Sequence, residues 1–179
     1  VRLLSENIAH RLRNWALLGA AGAIALAAGL GFALWDRTPP DASALLALSL
    51  PDTDGASQSL AQWRGKVLVV NYWATWCGPC REEMPEFVRA QRDLGPNGLQ
   101  IVGIAIDQPA KVAQFAKELG LNYPALIGGY DAVDIAKPLG NRLAALPFTV
   151  VLDRQGRVAH TQLGPLKPEQ LRSIVNALL

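Results

Sequence analysis

Hydrophobic and polar positions divide the chain into two unequal parts. From Trp15 to Trp35 the run WALLGAAGAIALAAGLGFALW holds 21 residues without a charge. As a helix it would be about 31 Å long, enough to cross the hydrocarbon core of a bilayer. A tryptophan stands at each end, where amphipathic rings favour the membrane interface. Beyond it come short apolar runs separated by turn residues. Leu45 to Leu50 is apolar and ends at Pro51, Asp52-Thr53-Asp54-Gly55 is turn chemistry, and Ser57 to Leu60 returns as a second short strand. Lys66 to Trp73 and Leu99 to Ile106 are rich in β-branched residues and lack polar alternation, as buried central strands do. Helices are predicted over Pro79 to Leu94, stopped by Gly95-Pro96-Asn97-Gly98, and over Pro109 to Leu119, stopped by Gly120. Tyr123 to Ile127 reads as a short strand and Asp131 to Leu139 as a weak helix. Phe148 to Asp153 and Arg157 to Leu163 form a hairpin around Arg154-Gln155-Gly156, and Pro168 to Leu179 is a last helix beginning near Lys167. Alternating strands and helices imply an α/β domain, a mixed sheet covered on both faces.

Charge orients the apolar run. Arg11 and Arg13 precede it, and Asp36 and Arg37 cancel after it. The positive-inside rule then puts residues 1–14 in the cytoplasm and everything after Trp35 outside. The run exceeds the apolar core of a cleaved signal peptide and no small-x-small site follows it, so an uncleaved anchor is expected. No cysteine lies nearby to carry a lipid, and Val1 fits either an alternative start or a chain that begins further upstream. The expected organisation is a flank over 1–14, a signal-anchor helix over 15–35, a linker over 36–43 stiffened by Pro39-Pro40, and a folded domain over 44–179.

The net charge is +2, and all of it lies before Asp36, since the remainder carries 14 charges of each sign. A nucleic-acid partner is therefore not expected, because phosphate binding needs several cations on one face. The hydrophobic share of 50% is too high for a disordered chain. Two cysteines exclude a disulfide-dense scaffold.

Both cysteines fall in Trp76-Cys77-Gly78-Pro79-Cys80, where a buried strand turns into a helix. A thiol at a helix N-terminus faces unpaired N–H groups and the positive end of the dipole, so its thiolate is favoured. Pro79 is tolerated in the first turn, where its missing N–H has no partner to lose. A second thiol one turn on can close a small disulfide with the first. Cys77 would attack a substrate disulfide, and the more sheltered Cys80 would resolve the mixed disulfide. Other readings stay open at this point: a structural disulfide closing a very short loop, or a peroxidase using one cysteine. A zinc site would need two more ligands, and the only histidines are His10, before the apolar run, and His160. Haem attachment would need a histidine where Arg81 stands. No cofactor or metal is expected.

The segment NYWATWCGPCREEMPEF resembles the active-site segment of the thioredoxin superfamily, and within it the membrane-anchored TlpA-like and ResA-like branch. The resemblance runs from about Leu45 to Leu179. It includes Gly65-Lys66-Val67-Leu68-Val69-Val70 before the active site, Pro85 in the active-site helix, and Ala145-Leu146-Pro147-Phe148-Thr149-Val150. It implies a thioredoxin-like mixed sheet flanked by helices, with an N-terminal β-hairpin and a central strand–helix insertion between Asp107 and Pro138. The 67 residues from Cys80 to Pro147 leave room for that insertion. It implies a cis-proline at Pro147 that shields Cys77, with the Leu146 backbone pairing with substrate. Trp76, Gly78 and Pro79 would share in the substrate platform, and Tyr72 and Trp73 would belong to the core. Simple thioredoxins carry a buried aspartate where Asn71 stands, so the resemblance gives Glu83 the role of helping to deprotonate Cys80. The alternative is that Glu82, Glu83 and Glu86 are solvated acids at a helix start. The implied activity is a thiol–disulfide oxidoreductase of the periplasm, anchored by one pass in a bacterial inner membrane. The Gly-Pro pair between the cysteines matches reducing members, so the expected direction is reduction of envelope protein disulfides, with electrons from a transmembrane thiol carrier. Apocytochrome c and metal-site assembly proteins are candidate substrates. An oxidase or isomerase, or a tethered chaperone or binding module, are the alternatives.

Overall fold

The computed structural model describes Trp15, residues 19–20, 22–31 and 40–179. The chain divides into two units, Val1–Thr38 and Pro39–Leu179, and each is taken by itself. In the first, residues 22–31 are helical, and Ile24, Leu26 and Leu30 are exposed. No helix among the described residues is long and apolar enough to cross a membrane. The 1–14 flank, the rest of the expected 15–35 span and the start of the 36–43 linker lie outside the described residues.

The second unit follows the order α1 (Ser43–Leu46), β1 (Ser49–Pro51), β2 (Ser57–Ser59), β3 (Val67–Trp73), α2 (Gly78–Leu94), β4 (Leu99–Ala105), α3 (Pro109–Leu119), β5 (Ala125–Ile127), α4 (Tyr130–Ala136), β6 (Phe148–Leu152), β7 (Val158–Leu163) and α5 (Pro168–Leu178). The main sheet has strand order β5-β4-β3-β6-β7, with β3 parallel to β4 and antiparallel to β6. β1 and β2 form a separate antiparallel hairpin, joined to the main sheet by a bridge between Asp52 and Leu126. The thioredoxin-like mixed sheet is thus present, and β5 and α4 lie within the expected insertion.

Every residue of β3 and β4 is buried, yet the two faces still alternate. Leu68, Val70 and Tyr72 face a core closed by α1 and α4, where Leu45, Ala132 and Ala136 pack. Val67 and Val69 face a core closed by α2 and α5, where Phe87, Leu171 and Val175 pack. Gly103 on β4 is required for a close approach: a Cβ there would lie 2.7 Å from the Trp73 indole nitrogen. Tyr72 and Trp73 are core residues, as the resemblance implied, and Trp63 packs against the cluster that holds Tyr72.

The structure departs from the sequence reading at several element ends. The apolar run from Leu45 is not extended throughout. The Asp41 carboxylate accepts the Ser43 N–H at 2.9 Å and hydroxyl at 2.7 Å, and the chain turns there into the short α1 before β1 begins at Ser49. β2 stops at Ser59, whose hydroxyl accepts the Ala61 N–H at 3.3 Å and starts a 3-10 turn over Leu60–Trp63. α4 ends at Ala136 rather than Leu139: Lys137 keeps helical geometry, at φ −59° and ψ −51°, and its N–H bonds the Asp134 carbonyl, but Pro138 has no N–H to carry the ladder on. α3 matches its predicted bounds, and Gly120 closes it at φ +65°.

Candidate active site

β3 delivers the chain to Ala74-Thr75-Trp76, and Cys77 is the N-cap of α2. Cys77 and Cys80 form a disulfide, with Cα atoms 5.3 Å apart. The Cys80 N–H donates to Cys77 Sγ at 3.3 Å, so the helix start partners one sulfur directly. Such a position stabilises a thiolate once the pair is reduced. Both sulfurs belong to an apolar cluster with Trp73, Met84 and Ala105, and Cys80 is the more buried of the two. Gly78 and Pro79 are exposed beside them.

Leu146 packs against that same cluster and precedes Pro147, to which it is joined by a cis peptide bond. The loop before it is fixed by Asn141, which is fully buried. Its amide accepts the Ala145 N–H at 2.9 Å and donates to the Ala145 carbonyl at 3.0 Å. Ala144 lies at φ +52°, a conformation that a residue with a side chain adopts at a cost, and the Asn141 bonds hold it there. Trp76 is 69% exposed. With Ile106, Tyr130, Val133, Ala144 and Leu146 it lines an apolar groove of about 400 Å³. Trp76 and Leu146 therefore line one groove, and Leu146 also packs against the cluster that holds the disulfide. The contribution of Tyr130 and Val133 from α4, and the buttressing by Asn141, were missed in the sequence.

Beneath the helix start lies a buried polar cluster. Asn71 Nδ2 donates to Glu83 Oε1 at 2.9 Å and to Thr149 Oγ1 at 3.0 Å. Asn71 and Thr149 face each other across the β3–β6 pairing. The second oxygen of Glu83 accepts the Leu166 N–H at 2.8 Å, from the loop between β7 and α5. Burial pushes the Glu83 carboxyl up from an ordinary 4.5 to about 7, against the two hydrogen bonds, which pull it down. Tyr123 is buried nearby, and its phenol is pushed up by burial and then by the Glu83 charge. Glu83 is thus not a solvated acid at a helix start. Nor is Glu86, which is buried between Arg89 and Arg172; Glu82 alone of the three is exposed. Among the described residues no group of three or more His, Cys, Asp and Glu is arranged to hold a metal ion.

A strand-to-helix turn thus carries the disulfide beside a cis-proline loop and over a buried acid. Residues 36–179 match the family model described as Redoxin. The chain belongs to the redoxin family. Within the thioredoxin superfamily it falls with the TlpA-like and ResA-like proteins. It is 30% identical over 130 residues to the thiol-disulfide oxidoreductase ResA of Geobacillus thermodenitrificans, covering 72% of each chain. It is 33% identical over 122 residues to the thiol:disulfide interchange protein HelX of Rhodobacter capsulatus, covering 64% of this chain and 62% of that one. The crystal structure of a thioredoxin-family thiol:disulfide interchange protein from Chlorobium tepidum superposes with a TM-score of 0.70 at 29% identity, over 79% of this chain and 95% of that one. This redoxin is a thioredoxin-like thiol–disulfide oxidoreductase, with Cys77 and Cys80 as its CxxC pair.

Proposed function

We propose that this redoxin is a membrane-anchored reductase of envelope protein disulfides, working on the periplasmic side of an inner membrane. The observation that carries the reading is the N-cap position of Cys77, next to a buried Cys80 and an open apolar groove. In the reduced protein the Cys77 thiolate attacks one sulfur of a substrate disulfide. A Cys77–substrate S–S bond forms, and the other substrate sulfur leaves as a thiolate and takes a proton. Cys80 gives its proton to Glu83, three residues on along α2, and attacks Cys77 Sγ. The Cys77–Cys80 bond re-forms, and the second substrate thiolate is released and protonated. Two electrons have passed to the substrate, and the protein is left as the disulfide seen here. A transmembrane thiol carrier would reduce it again.

Trp76 and Leu146 line the groove on which a substrate segment would lie, with Gly78, Pro79 and Pro147 completing the platform. The Gly-Pro pair supports the reducing direction, and the uncharged run from Trp15 to Trp35 supports the anchor. Cysteines of apocytochromes and of metal-site assembly proteins fit as substrates, because such thiols must be reduced before they bind metal or haem.

The reduction potential of Cys77–Cys80 tests the direction. The full chain is equilibrated against defined dithiothreitol ratios and its free thiols are alkylated. A value at or below about −220 mV is expected, and one near about −120 mV would make the protein an oxidant. Extraction of the full chain from membranes by carbonate alone would remove the anchor from the reading.

A further inference from the structure

Thr75 lies between the end of β3 and the N-cap Cys77, and it makes two hydrogen bonds to one atom. Its backbone N–H donates to Asp107 Oδ2 at 3.3 Å, and its hydroxyl donates to the same oxygen. Asp107 Oδ1 accepts the Gln108 N–H at 2.7 Å. The carboxylate thus spans two loops, the one leaving β4 and the one that carries Trp76 and Cys77. The residue before it, Ile106, donates its N–H to the Trp73 carbonyl at 2.8 Å and also lines the apolar groove.

Trp76 needs such a support. Its indole is mostly exposed, so packing does not fix it, and its direction is set by the backbone from Thr75 to Cys77. Burial pushes the Asp107 carboxyl up, but the bonds from Thr75 and Gln108 and the charge of Lys111 outweigh it and hold it below the usual range. Both oxygens therefore stay acceptors at neutral pH. An asparagine could not replace it, because its amide nitrogen would face one of the N–H donors.

We propose that Asp107 is a positioning residue for exchange with peptide disulfides: acting through Thr75, it holds the Ala74–Trp76 turn so that the Trp76 indole stays as a wall of the groove beside Cys77. The proposal rests on the groove being the seat of the substrate segment. It says nothing of direction, so it stands or falls apart from the reductase reading.

The test compares two disulfides on the full chain, in both directions of exchange. One is a short peptide disulfide with apolar residues beside its cysteines, and the other is hydroxyethyl disulfide, which is too small to reach the groove walls. Asp107→Asn and Thr75→Val are each expected to lower kcat/KM for the peptide about tenfold, through KM, while moving the small disulfide by less than about twofold. Thr75→Ser, which keeps both donors, restores the peptide rate. In a Trp76→Ala background, which has already lost the wall, Asp107→Asn adds nothing further. An equal loss with both disulfides would mean that the clamp serves the cysteines or the fold, and would overturn the proposal. Full peptide activity in both clamp variants would overturn it as well. A wild-type chain that fails to prefer the peptide over the small disulfide would instead remove the groove as the seat of substrate. That outcome is read from the wild type alone, before any variant is made.

Discussion

Glu83 and Glu86 lie one turn apart on α2 and are equally buried, at 7% and 6% exposure, but they sit in opposite surroundings. Glu83 points beneath the disulfide-bearing end of the helix and meets only neutral donors, the Asn71 amide and the Leu166 N–H. Glu86 points toward α5 and meets two guanidinium groups: Arg89 Nη2 at 2.7 Å on its own helix, and Arg172 Nε at 2.7 Å on α5. Arg172 also reaches Asp93 at 3.2 Å, so the cluster ties α2 to α5. Burial alone therefore does not decide what a carboxylate does. Without a cation, desolvation wins, and the Glu83 proton is held up to about pH 7. With two cations the charge is compensated, and Glu86 acts as a strut between two helices.

The largest test of this contrast is Glu83→Gln. A carboxyl raised in the folded state binds its proton more tightly there than in the unfolded chain. Its contribution to stability is present below the ordinary value of 4.5 and is lost as pH rises through about 7. The wild-type chain should lose up to about 3 kcal/mol of unfolding free energy across that window, and the glutamine variant should not. Urea unfolding at pH 5 and pH 8, followed by tryptophan fluorescence, measures both. If Glu83 takes the Cys80 proton, the wild-type resolving rate rises with pH to a plateau above about 7. In the variant that rise is absent, and the rate near neutral pH drops by about a hundredfold. A variant with the wild-type rate and pH profile would leave Glu83 as a structural acid.

Little of this contrast could be read from the chain. The cysteine pair, the buried strands and the proline before β6 were legible because they are local: a spacing, a run of β-branched residues, a turn. The helix-dipole argument treats Glu82, Glu83 and Glu86 alike, and only the helix face separates them. Cys80, Met84, Phe87 and Ala90 mark the buried stripe, and Glu83 and Glu86 flank it while Glu82 points away. That signal was available in the sequence. The partners were not. Thr149, Leu166 and Arg172 lie 78, 83 and 86 residues from the groups they bond, and two of the clamps at the site, Asn141 on Ala145 and Asp107 on Thr75, use backbone atoms that leave no periodicity.

A smaller effect is expected from turning the second environment into the first. Replacing both Arg89 and Arg172 by alanine leaves Glu86 buried with no cation. The variant should lose about 2 kcal/mol at pH 8, the order of a lost charge-assisted hydrogen bond to a buried carboxylate. Added salt should shrink the loss, because it already screens these partly exposed ion pairs in the parent chain. The exchange rate with small disulfides should not change, since the cluster lies away from the sulfurs. Equal losses at low and high salt would mean that the arginines act by packing their stems, and the electrostatic half of the contrast would fail.

The smallest effect belongs to Arg89→Ala alone. Arg89 is half-exposed, at 50%, and shares the helix with its partner, whereas Arg172 is 38% exposed and arrives from a separate element. An exposed pair three residues apart on one helix contributes about 0.5 kcal/mol or less, and salt screens it. With Arg172 still in place, Glu86 keeps a cation, so the single variant should stay within that range at both pH 5 and pH 8. The order matters more than the size. If Arg89→Ala alone reproduced the loss of the double variant, the local pair would be the one that compensates Glu86, and the link to α5 would be incidental. If Arg172→Ala carries most of the loss, Glu86 differs from Glu83 because a second helix brings it a charge.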